Sequence, residues 1–455
     1  MKSLLLTLAA CALVAAAGDA PFLGDWMGSL DIGGKPMRIA LHLKHDAGRW
    51  SGTFDSPDQG ATGIPMSQVD VDGNKLVWKM AAAGIVYEGA FDPAGGVISG
   101  TFSQRGGKRS LQFKHAAPPT PPLRPQEPKP PFPYSSEAVT YPNPQAEGVR
   151  LAGTLTKPKG PGKFPAVLLI TGSGPQNRDE EIEGHKPFLL IADFLSRRGI
   201  AVLRVDDRGV AESTGNFATA TTADFATDVM AGVQFLLKRP EIDVKHIGLL
   251  GHSEGGEIAP MVAVRMPQVA FLILLAGPGV PGDEIIAQQV YRGNLAGGAP
   301  QESAKQAREL ERAILNIVKA EPDAAAQRPK LMALAGGTPG LKQTLEAALP
   351  GLNSPWYRYF IGHDPRPDLA KVRVPVLAFN GSKDTQVDAG QNLPAIETVL
   401  RHSGNRDVTI KLMPGLNHLF QPCKTVALAE YGSIEQTMSP EVLDLIADWI
   451  AIHVG

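Results

Sequence analysis

A proline-rich segment is the feature of this sequence that most restricts how the chain can fold. Nine of the sixteen residues from position 118 to position 133 are proline. Proline lacks a backbone N–H and has a fixed φ, so this segment cannot form a helix or a central strand. We expect an extended strap, with residues 116–136 as a linker between two folding units, residues 22–115 and residues 137–455. The sequence leaves open whether the strap is free or lies across the second unit.

The first twenty residues have the pattern of a secretory signal peptide. Lys2 precedes a compact apolar run at positions 4–17, and small residues continue to Ala20. This run is too short for a stable transmembrane span, and cleavage is expected near Ala17 or Ala20. We therefore expect export to the periplasm or secretion. Cys11 has the setting of a lipoprotein processing site, but the apolar run continues beyond it, which disfavours a lipid-anchored form.

Composition narrows the expected partners. The 455 residues carry a net charge of −2 with mixed signs, which indicates neither a nucleic acid partner nor an anionic membrane surface. If Cys11 leaves with the signal peptide, Cys423 is the only cysteine of a mature chain that should have no membrane segment. Cysteine then cannot build a metal site, and the ten histidines show no paired ligand spacing. We expect neither a metal nor a cofactor.

Residues 22–115 consist of short alternating segments separated by glycine and aspartate turns. The motif Ser-Gly-Thr-Phe occurs at positions 51–54 and again at 99–102. Period-two alternation with regular turns predicts a small antiparallel barrel or sandwich of about eight strands. A packing or spacer role is the preferred interpretation for this unit. Binding of a sugar or a surface is the alternative, since the sequence does not separate exposed from buried aromatic rings.

From about residue 137, short apolar runs alternate with amphipathic stretches. This pattern indicates an α/β fold with a mostly parallel, doubly wound sheet. Eight runs are interpreted as strands: residues 138–141, 151–156, 166–170, 201–205, 247–250, 271–275, 374–379 and 408–412. The long interval between the sixth and seventh runs has helical periodicity. It predicts a helical cap at about residues 280–370, which would cover the site and influence substrate choice.

The sequence Gly-His-Ser-Glu-Gly at 251–255 lies between a strand and a helix. Gly-x-Ser-x-Gly in that setting is the nucleophile elbow of α/β-hydrolases, and it marks Ser253 as a candidate nucleophile. Asp384 and His418 each follow one of the last two predicted strands, where loops reach the carboxyl edge of a parallel sheet. The order serine, aspartate, histidine is that of an α/β-hydrolase triad, in which histidine is the base and aspartate orients it.

Other residues offer alternatives to these assignments. Asp384 is alternatively a helix cap, in which case Asp388 or Asp364 is the replacement acid. His252 is expected to support the elbow, and His363 to have an ordinary structural role. The oxyanion hole requires two backbone N–H groups, and we expect them from Glu254 and from Ser173, with Gly174 as the alternative to Ser173.

Two further loops carry charged residues near the expected site. Arg178 is interpreted as a salt-bridge anchor in preference to a substrate contact. The loop Asp-Asp-Arg-Gly at 206–209 is expected to be held by its own charges.

Together these segments resemble bacterial α/β-hydrolases of the EstD-type esterase group, which is related to serine aminopeptidases and dienelactone hydrolases. The resemblance spans about residue 134 to the C-terminus and is carried by Thr-Gly-Ser-Gly-Pro at 171–175, Asp-Asp-Arg-Gly at 206–209, Gly-His-Ser-Glu-Gly-Gly at 251–256, Asn-Gly-Ser-Lys-Asp at 380–384 and Asn-His at 417–418. Thr171 departs from the pattern, because many relatives of the wider fold have histidine there. The resemblance implies hydrolysis of carboxylic esters through Ser253, Asp384 and His418.

We therefore expect an exported serine esterase with a short to medium acyl preference and an acyl-enzyme mechanism. An aminopeptidase is the first alternative, and it would need an acidic pocket for the substrate amine, which a cap residue such as Glu284 would supply. Acyl transfer to an alcohol or amine acceptor is the second. A catalytically inactive binding protein is the third, and a complete triad disfavours it.

Overall fold

The computed structural model describes residues 20–32, 35–46, 48–59, 61–104, 107–115, 122–336 and 339–455. The predicted signal peptide, apart from Ala20, and the first prolines of the linker lie outside this range. The chain forms two compact units that meet in sequence at Pro121 and Pro122. In the described residues, no helix combines the length and apolar character that crossing a membrane requires.

The first unit is a single antiparallel sheet of nine strands. The strands are β1 (Gly24–Ile32), β2 (Lys35–Asp46), β3 (Arg49–Ser56), β4 (Ala61–Pro65), β5 (Gln68–Asp72), β6 (Lys75–Met80), β7 (Ile85–Asp92), β8 (Val97–Gln104) and β9 (Gly107–His115). Each strand pairs with its sequence neighbour except β4 and β5, and the first strand also pairs with the last, in the order β4-β3-β2-β1-β9-β8-β7-β6-β5. The predicted all-β fold is confirmed.

The aromatic rings of this unit form its core. Trp26, Trp78, Tyr87 and Phe113 are fully buried, and the Tyr87 hydroxyl donates to the carbonyl oxygen of Leu111 at 3.1 Å. No aromatic side chain is exposed in the described part of the unit. Trp50 and Phe91 are half-buried and pack against this core.

The second unit is an eight-stranded sheet with helices on both faces. Its strands are β10 (Tyr134–Pro142), β11 (Arg150–Pro158), β12 (Phe164–Ile170), β13 (Ala201–Val205), β14 (Ile242–His252), β15 (Val269–Leu275), β16 (Val376–Gly381) and β17 (Val408–Met413). They run in the order β10-β11-β13-β12-β14-β15-β16-β17, and the last six are parallel. The predicted α/β-hydrolase fold is confirmed.

Helices cover the two faces of the sheet in separate groups. One face packs against α1 (Pro187–Arg197) and α11 (Pro440–Val454), and the other against α2 (Thr222–Leu237), α3 (Glu254–Ala263) and α10 (Ala389–His402). The central strands are apolar on both sides because both faces are covered. This is why they appear in the sequence as continuous apolar runs.

Six helices are inserted between β15 and β16, where the sequence predicts a cap. They are α4 (Gly282–Ala296), α5 (Gln301–Ala320), α6 (Ala324–Leu334), α7 (Pro339–Leu352), α8 (Pro355–Gly362) and α9 (Arg366–Leu369). All but the short α9 contribute to an apolar cluster separate from those of the sheet, with Val318 and Leu331 completely buried. The inserted segment therefore has a hydrophobic core of its own.

The described part of the proline-rich strap is bound to the second unit. Arg124 donates to four main-chain carbonyl oxygens outside the strap, those of Glu183, Gly184, Gly432 and Ile434, at 2.8 to 3.0 Å. Gln126 accepts from the backbone N–H of Thr437 at 2.7 Å and donates to the carbonyl of Met438 at 2.8 Å. The strap from Pro122 onward is thus a fixed part of this unit.

Candidate active site

Ser253 occupies a sharp turn between β14 and α3. Its backbone has φ 53° and ψ −120°, a conformation that residues with a side chain rarely adopt and that usually persists only at functional sites. Its N–H donates to the carbonyl of Leu275 at 2.8 Å. Two neighbouring glycines permit the turn: a Cβ added at Gly251 would lie 2.0 Å from the carbonyl oxygen of Gly255, and one at Gly255 would lie 2.2 Å from that of Ile170.

Asp384 and His418 form a buried acid–histidine pair. Nδ1 of His418 lies 2.7 Å from Oδ2 of Asp384, and the two residues are 5% and 1% exposed. The other carboxylate oxygen accepts the backbone N–H groups of Gln386 and Val387 at 2.7 and 3.0 Å. The carboxylate is therefore oriented by its own loop and leaves Nε2 of His418 available as the base.

The His418 loop lies directly beside the elbow. The ring of His252, the residue before Ser253, has its centroid 4.7 Å from that of His418, and its Nε2 lies 3.1 Å from the His418 carbonyl oxygen. The His418 N–H donates to the Tyr431 hydroxyl at 3.2 Å. Within the described residues, the Ser253 hydroxyl makes no hydrogen bond to the His418 ring. Such bonds often shorten only when substrate binds.

The loop after β12 approaches Ser253 from the opposite side. A Cβ added at Gly172 would lie 3.1 Å from Cβ of Ser253. The Gly172 N–H already donates to Oε1 of Glu180 at 2.7 Å. In the described part of the chain, the amides of Ser173, Gly174 and Glu254 have no protein acceptor. Since Glu254 is the first residue of α3, its N–H is one of the unpaired helix amides that can hold an anion.

The side chain of Glu254 connects the elbow to the cap, a function that sequence reasoning did not assign to it. It is 2% exposed, and its Oε1 accepts from the Thr222 hydroxyl at 2.7 Å and from Nε1 of Trp356 in α8 at 2.8 Å. Burial raises the pKa of the Glu254 carboxyl. Hence the cap is hydrogen-bonded to the residue that follows the nucleophile.

The alternative acids lie in other environments. Asp388 caps α10, accepting the Gln391 N–H at 3.0 Å, and pairs with Arg292, while Asp364 pairs with Arg366. Neither contacts His418, which is paired with Asp384.

His363 lies beside the helix that follows the nucleophile. Its Nε2 lies 3.3 Å from Oε1 of Glu257, a buried carboxylate on α3 with no hydrogen-bond partner in the described residues. The structure therefore places a histidine of the cap against an acid of the nucleophile helix.

The charged loops are held by partners outside themselves. Arg178 pairs with Asp206 and Glu212, and its backbone N–H donates to Asp206, in agreement with an anchoring role. Arg208 pairs with Asp228 of α2. The expectation that residues 206–209 are held by their own charges is wrong, because these side chains bind neighbouring elements.

Glu180 is the residue that the sequence least revealed. It lies in the polar run that follows β12, is 1% exposed and has φ 50°. This left-handed backbone conformation, which has no clear sequence signal when the residue is not glycine, accompanies the burial of the side chain behind the loop.

A cavity adjoins the elbow and the loop after β12. It encloses about 520 Å³, part of which is open to solvent. Gly172, Gly174 and Glu254 line one end, and Tyr141, Phe225 and Asp207 are among the other lining residues. Burial raises the pKa of Asp207 to about 8, although the Thr171 hydroxyl donates to it. In the described residues, no cluster of potential ligands could hold a metal ion.

The arrangement combines the elements of nucleophilic acyl transfer. A serine on a strained turn lies between a loop with free amides and a loop with a carboxylate-oriented imidazole. The chemistry it suits is attack on an acyl carbon, with the developing negative charge held by backbone N–H groups.

Comparison with known proteins identifies hydrolases among the relatives of this chain. The family model described as X-Pro dipeptidyl-peptidase (S15 family) matches residues 147–411, more than half of the chain. Esterase EstD of Thermotoga maritima is 36% identical over 140 residues, which are 31% of this chain and 33% of that protein. A mitochondrial palmitoyl-protein thioesterase, ABHD10 of Bos taurus, is 29% identical over 127 residues, 28% of this chain and 37% of that protein.

The match to these curated relatives spans only about a third of their length. The match to Esterase EstD nonetheless confirms the predicted resemblance to the EstD-type group. Among solved structures, the Pyrococcus furiosus esterase Pf2001 is similar with a TM-score of 0.45 and 16% identity, covering 71% of this chain and 92% of that one.

Proposed function

Because the chain belongs to the X-Pro dipeptidyl-peptidase (S15) family, we propose that it is a serine hydrolase acting on carboxylic esters of short to medium acyl length. The observation that carries the proposal is the placement of Ser253 on a strained elbow between the Asp384–His418 pair and a loop with free amides. The 36% identity to Esterase EstD over 140 residues supports ester over peptide substrates.

The proposed mechanism is a two-step acyl transfer. Nε2 of His418 takes the proton of the Ser253 hydroxyl as its oxygen attacks the ester carbonyl, and the oxyanion is held by the N–H groups of Glu254 and Ser173, with Gly174 as the alternative to Ser173. The intermediate collapses, the bond to the alcohol oxygen breaks, and His418 protonates the departing alcohol. Water, deprotonated by His418, then cleaves the acyl-enzyme and releases the carboxylic acid.

The test is substitution of the nucleophile. Ser253→Ala should lower turnover of a short-chain nitrophenyl ester on the order of 10³-fold or more. A fluorophosphonate probe should label the parent protein and not the variant, because an unactivated serine does not react. Ser303→Ala, an exposed serine of α5, is the matched control and should behave as the parent. Near-full activity of Ser253→Ala would refute the assignment.

Peptide hydrolysis is the second candidate, favoured by the family match to X-Pro dipeptidyl-peptidases. It requires an acidic group for a substrate amine, and Glu284, the residue suggested for this role, is exposed on α4. Rates on an alanyl nitroanilide, an X-Pro nitroanilide and a series of nitrophenyl esters of increasing acyl length would separate the two. Addition of alcohol or amine acceptors, with product analysis, would reveal acyl transfer.

We also propose export to the periplasm or the medium on the basis of the N-terminal pattern. Cell fractionation followed by N-terminal sequencing should find a mature chain that begins near residue 18 or 21. Recovery in the cytosol with Met1 intact would contradict the proposal.

A further inference from the structure

A second buried acid–histidine pair lies directly behind the proposed triad. Oε1 of Glu180 lies 2.9 Å from Nδ1 of His252, and Nε2 of His252 lies 3.1 Å from the carbonyl oxygen of His418. The same Glu180 oxygen accepts the Gly172 N–H at 2.7 Å. The chain of contacts thus runs from the loop after β12, through the residue preceding Ser253, to the backbone of the His418 loop.

The acceptors around His252 determine how many protons its ring carries. A main-chain carbonyl cannot donate, so the 3.1 Å contact requires a proton on Nε2. A second proton lies between Nδ1 and Oε1 of Glu180. The Gly172 N–H donates to this oxygen and so favours the carboxylate form of Glu180, which leaves the second proton on the ring.

We infer that Glu180 and His252 are an ion pair, carboxylate and imidazolium, that positions the loop after β12 and the His418 loop around Ser253. This inference rests on the proposed function, because its consequence is correct placement of the groups of that mechanism. Both are positioning residues, since neither side chain reaches the reacting atoms. The two side chains are almost fully buried, at 1% and 4% exposure, so the pair is shielded from exchange with water.

The surroundings of His252 support a charged ring. Ionisable groups face it from three segments: Glu180 after β12, Asp384 after β16 and His418 after β17. Burial opposes the charge on His252, but the two carboxylates and the carbonyl contact outweigh it, and the pKa of His252 is raised. The net charge of the pair is zero, which makes its burial beside a catalytic base tolerable.

Proton occupancy on the His252 ring is the direct test, and it does not depend on activity. Long-range proton–nitrogen correlation spectra of the histidine-labelled protein should show one ring with both nitrogens protonated at neutral pH. The signal should be assigned by its loss in His252→Gln. A His252 ring with an unprotonated Nδ1 at neutral pH would overturn the inference, whether or not the protein hydrolyses esters.

Kinetics of two variants, each with glutamine in place of a glutamate, give the second test. Glu180→Gln keeps the acceptor for Gly172 but removes the charge, and Glu181→Gln changes the exposed neighbouring glutamate. We expect Glu180→Gln to lower kcat at least about 10-fold with little change in KM, and Glu181→Gln to match the parent.

The pH profile separates positioning by charge from simple packing. In Glu180→Gln the acidic limb of kcat/KM should move up by about 0.5 pH unit or more, because loss of the positive charge on His252 makes the base easier to protonate. A fall in kcat without movement of this limb, or a profile like that of Glu181→Gln, would contradict the inference. Failure of Ser253→Ala to lose activity would instead reject the proposed function and leave the spectroscopic result standing.

Discussion

At the scale of single residues, Asp384 and Asp388 lie close in sequence but differ in what their carboxylates bind. Asp384 orients His418, whereas Asp388 caps α10. Asp384→Asn should lower kcat on the order of 10³-fold to 10⁴-fold, because an amide cannot hold the imidazole in the required tautomer. Asp388→Asn is the control, since asparagine also caps helices. Steady-state ester hydrolysis should be much slower in Asp384→Asn than in Asp388→Asn. Equal losses would point to a general effect of the loop.

Glu257 is a buried carboxylate whose ionisation opposes folding. Burial raises its pKa well above the ordinary 4.5, and neither oxygen has a hydrogen-bond partner in the described residues. The folded protein therefore binds this proton more tightly than the unfolded chain. The stability it contributes is full below about pH 4.5 and is lost as pH rises through the folded-state pKa.

Glu257→Gln, which cannot ionise, should therefore gain stability over the parent as pH rises. The gain is about 1.4 kcal/mol for each unit that separates the folded and unfolded pKa values. Thermal unfolding between about pH 4 and pH 9 measures it. The exposed Glu147→Gln should show no such trend. A constant difference between Glu257→Gln and the parent across this range would mean that Glu257 does not titrate as described.

At the scale of elements, helix α8 holds the cap to the nucleophile elbow. Trp356 donates to Glu254 and stacks on Phe360 with ring centroids 5.4 Å apart. Trp356→Phe keeps an aromatic ring and removes the donor, at a cost of about 1 kcal/mol or more. We expect faster hydrogen exchange in the cap helices and a lower kcat/KM for esters. Tyr357→Phe, on the same helix, serves as the control; parity between the two would show that the indole bond does not hold the cap.

The elements that follow local rules were predictable from the sequence. The elbow has its glycines because close backbone approaches at Gly251 and Gly255 exclude a side chain. These approaches depend on a few neighbouring residues, so a short sequence motif reveals them. Asp384 and His418 were found because each follows an apolar strand of a parallel sheet. Such signals are periodic or adjacent in the chain.

Long-range polar contacts were not predictable in the same way. Trp356 and Glu254 are hydrogen-bonded across 102 positions, and neither has a sequence pattern that names its partner. The burial of Glu180 accompanies one left-handed backbone conformation, which no sequence pattern indicates. The anchoring of residues 206–209 by other elements was missed because no sequence pattern names the partners, Arg178 and Asp228.

At the scale of the whole molecule, the division between Pro121 and Pro122 assigns the strap from Pro122 onward to the second unit. A chain that begins at Pro122 keeps the bonds of Arg124 and Gln126. One that begins at Tyr134 loses the bonds of Arg124 and Gln126 and should melt several degrees lower, by calorimetry. Arg124→Gln in the full chain removes only the bonds of Arg124 and should lower the Tm of the second unit by a smaller amount. Equal melting of the two shortened chains would show that the strap adds no stability.

The bonding of Arg124 also has an evolutionary consequence. Its four acceptors outside the strap are main-chain carbonyl oxygens, at Glu183, Gly184, Gly432 and Ile434, which every amino acid possesses. Substitutions at these four positions can therefore accumulate without loss of an acceptor, provided that the backbone keeps its path. The arginine has no such freedom, because only a guanidinium presents its donors in this fork. Among descendants of this sequence, substitutions should therefore accumulate at the four acceptor positions while Arg124 stays invariant.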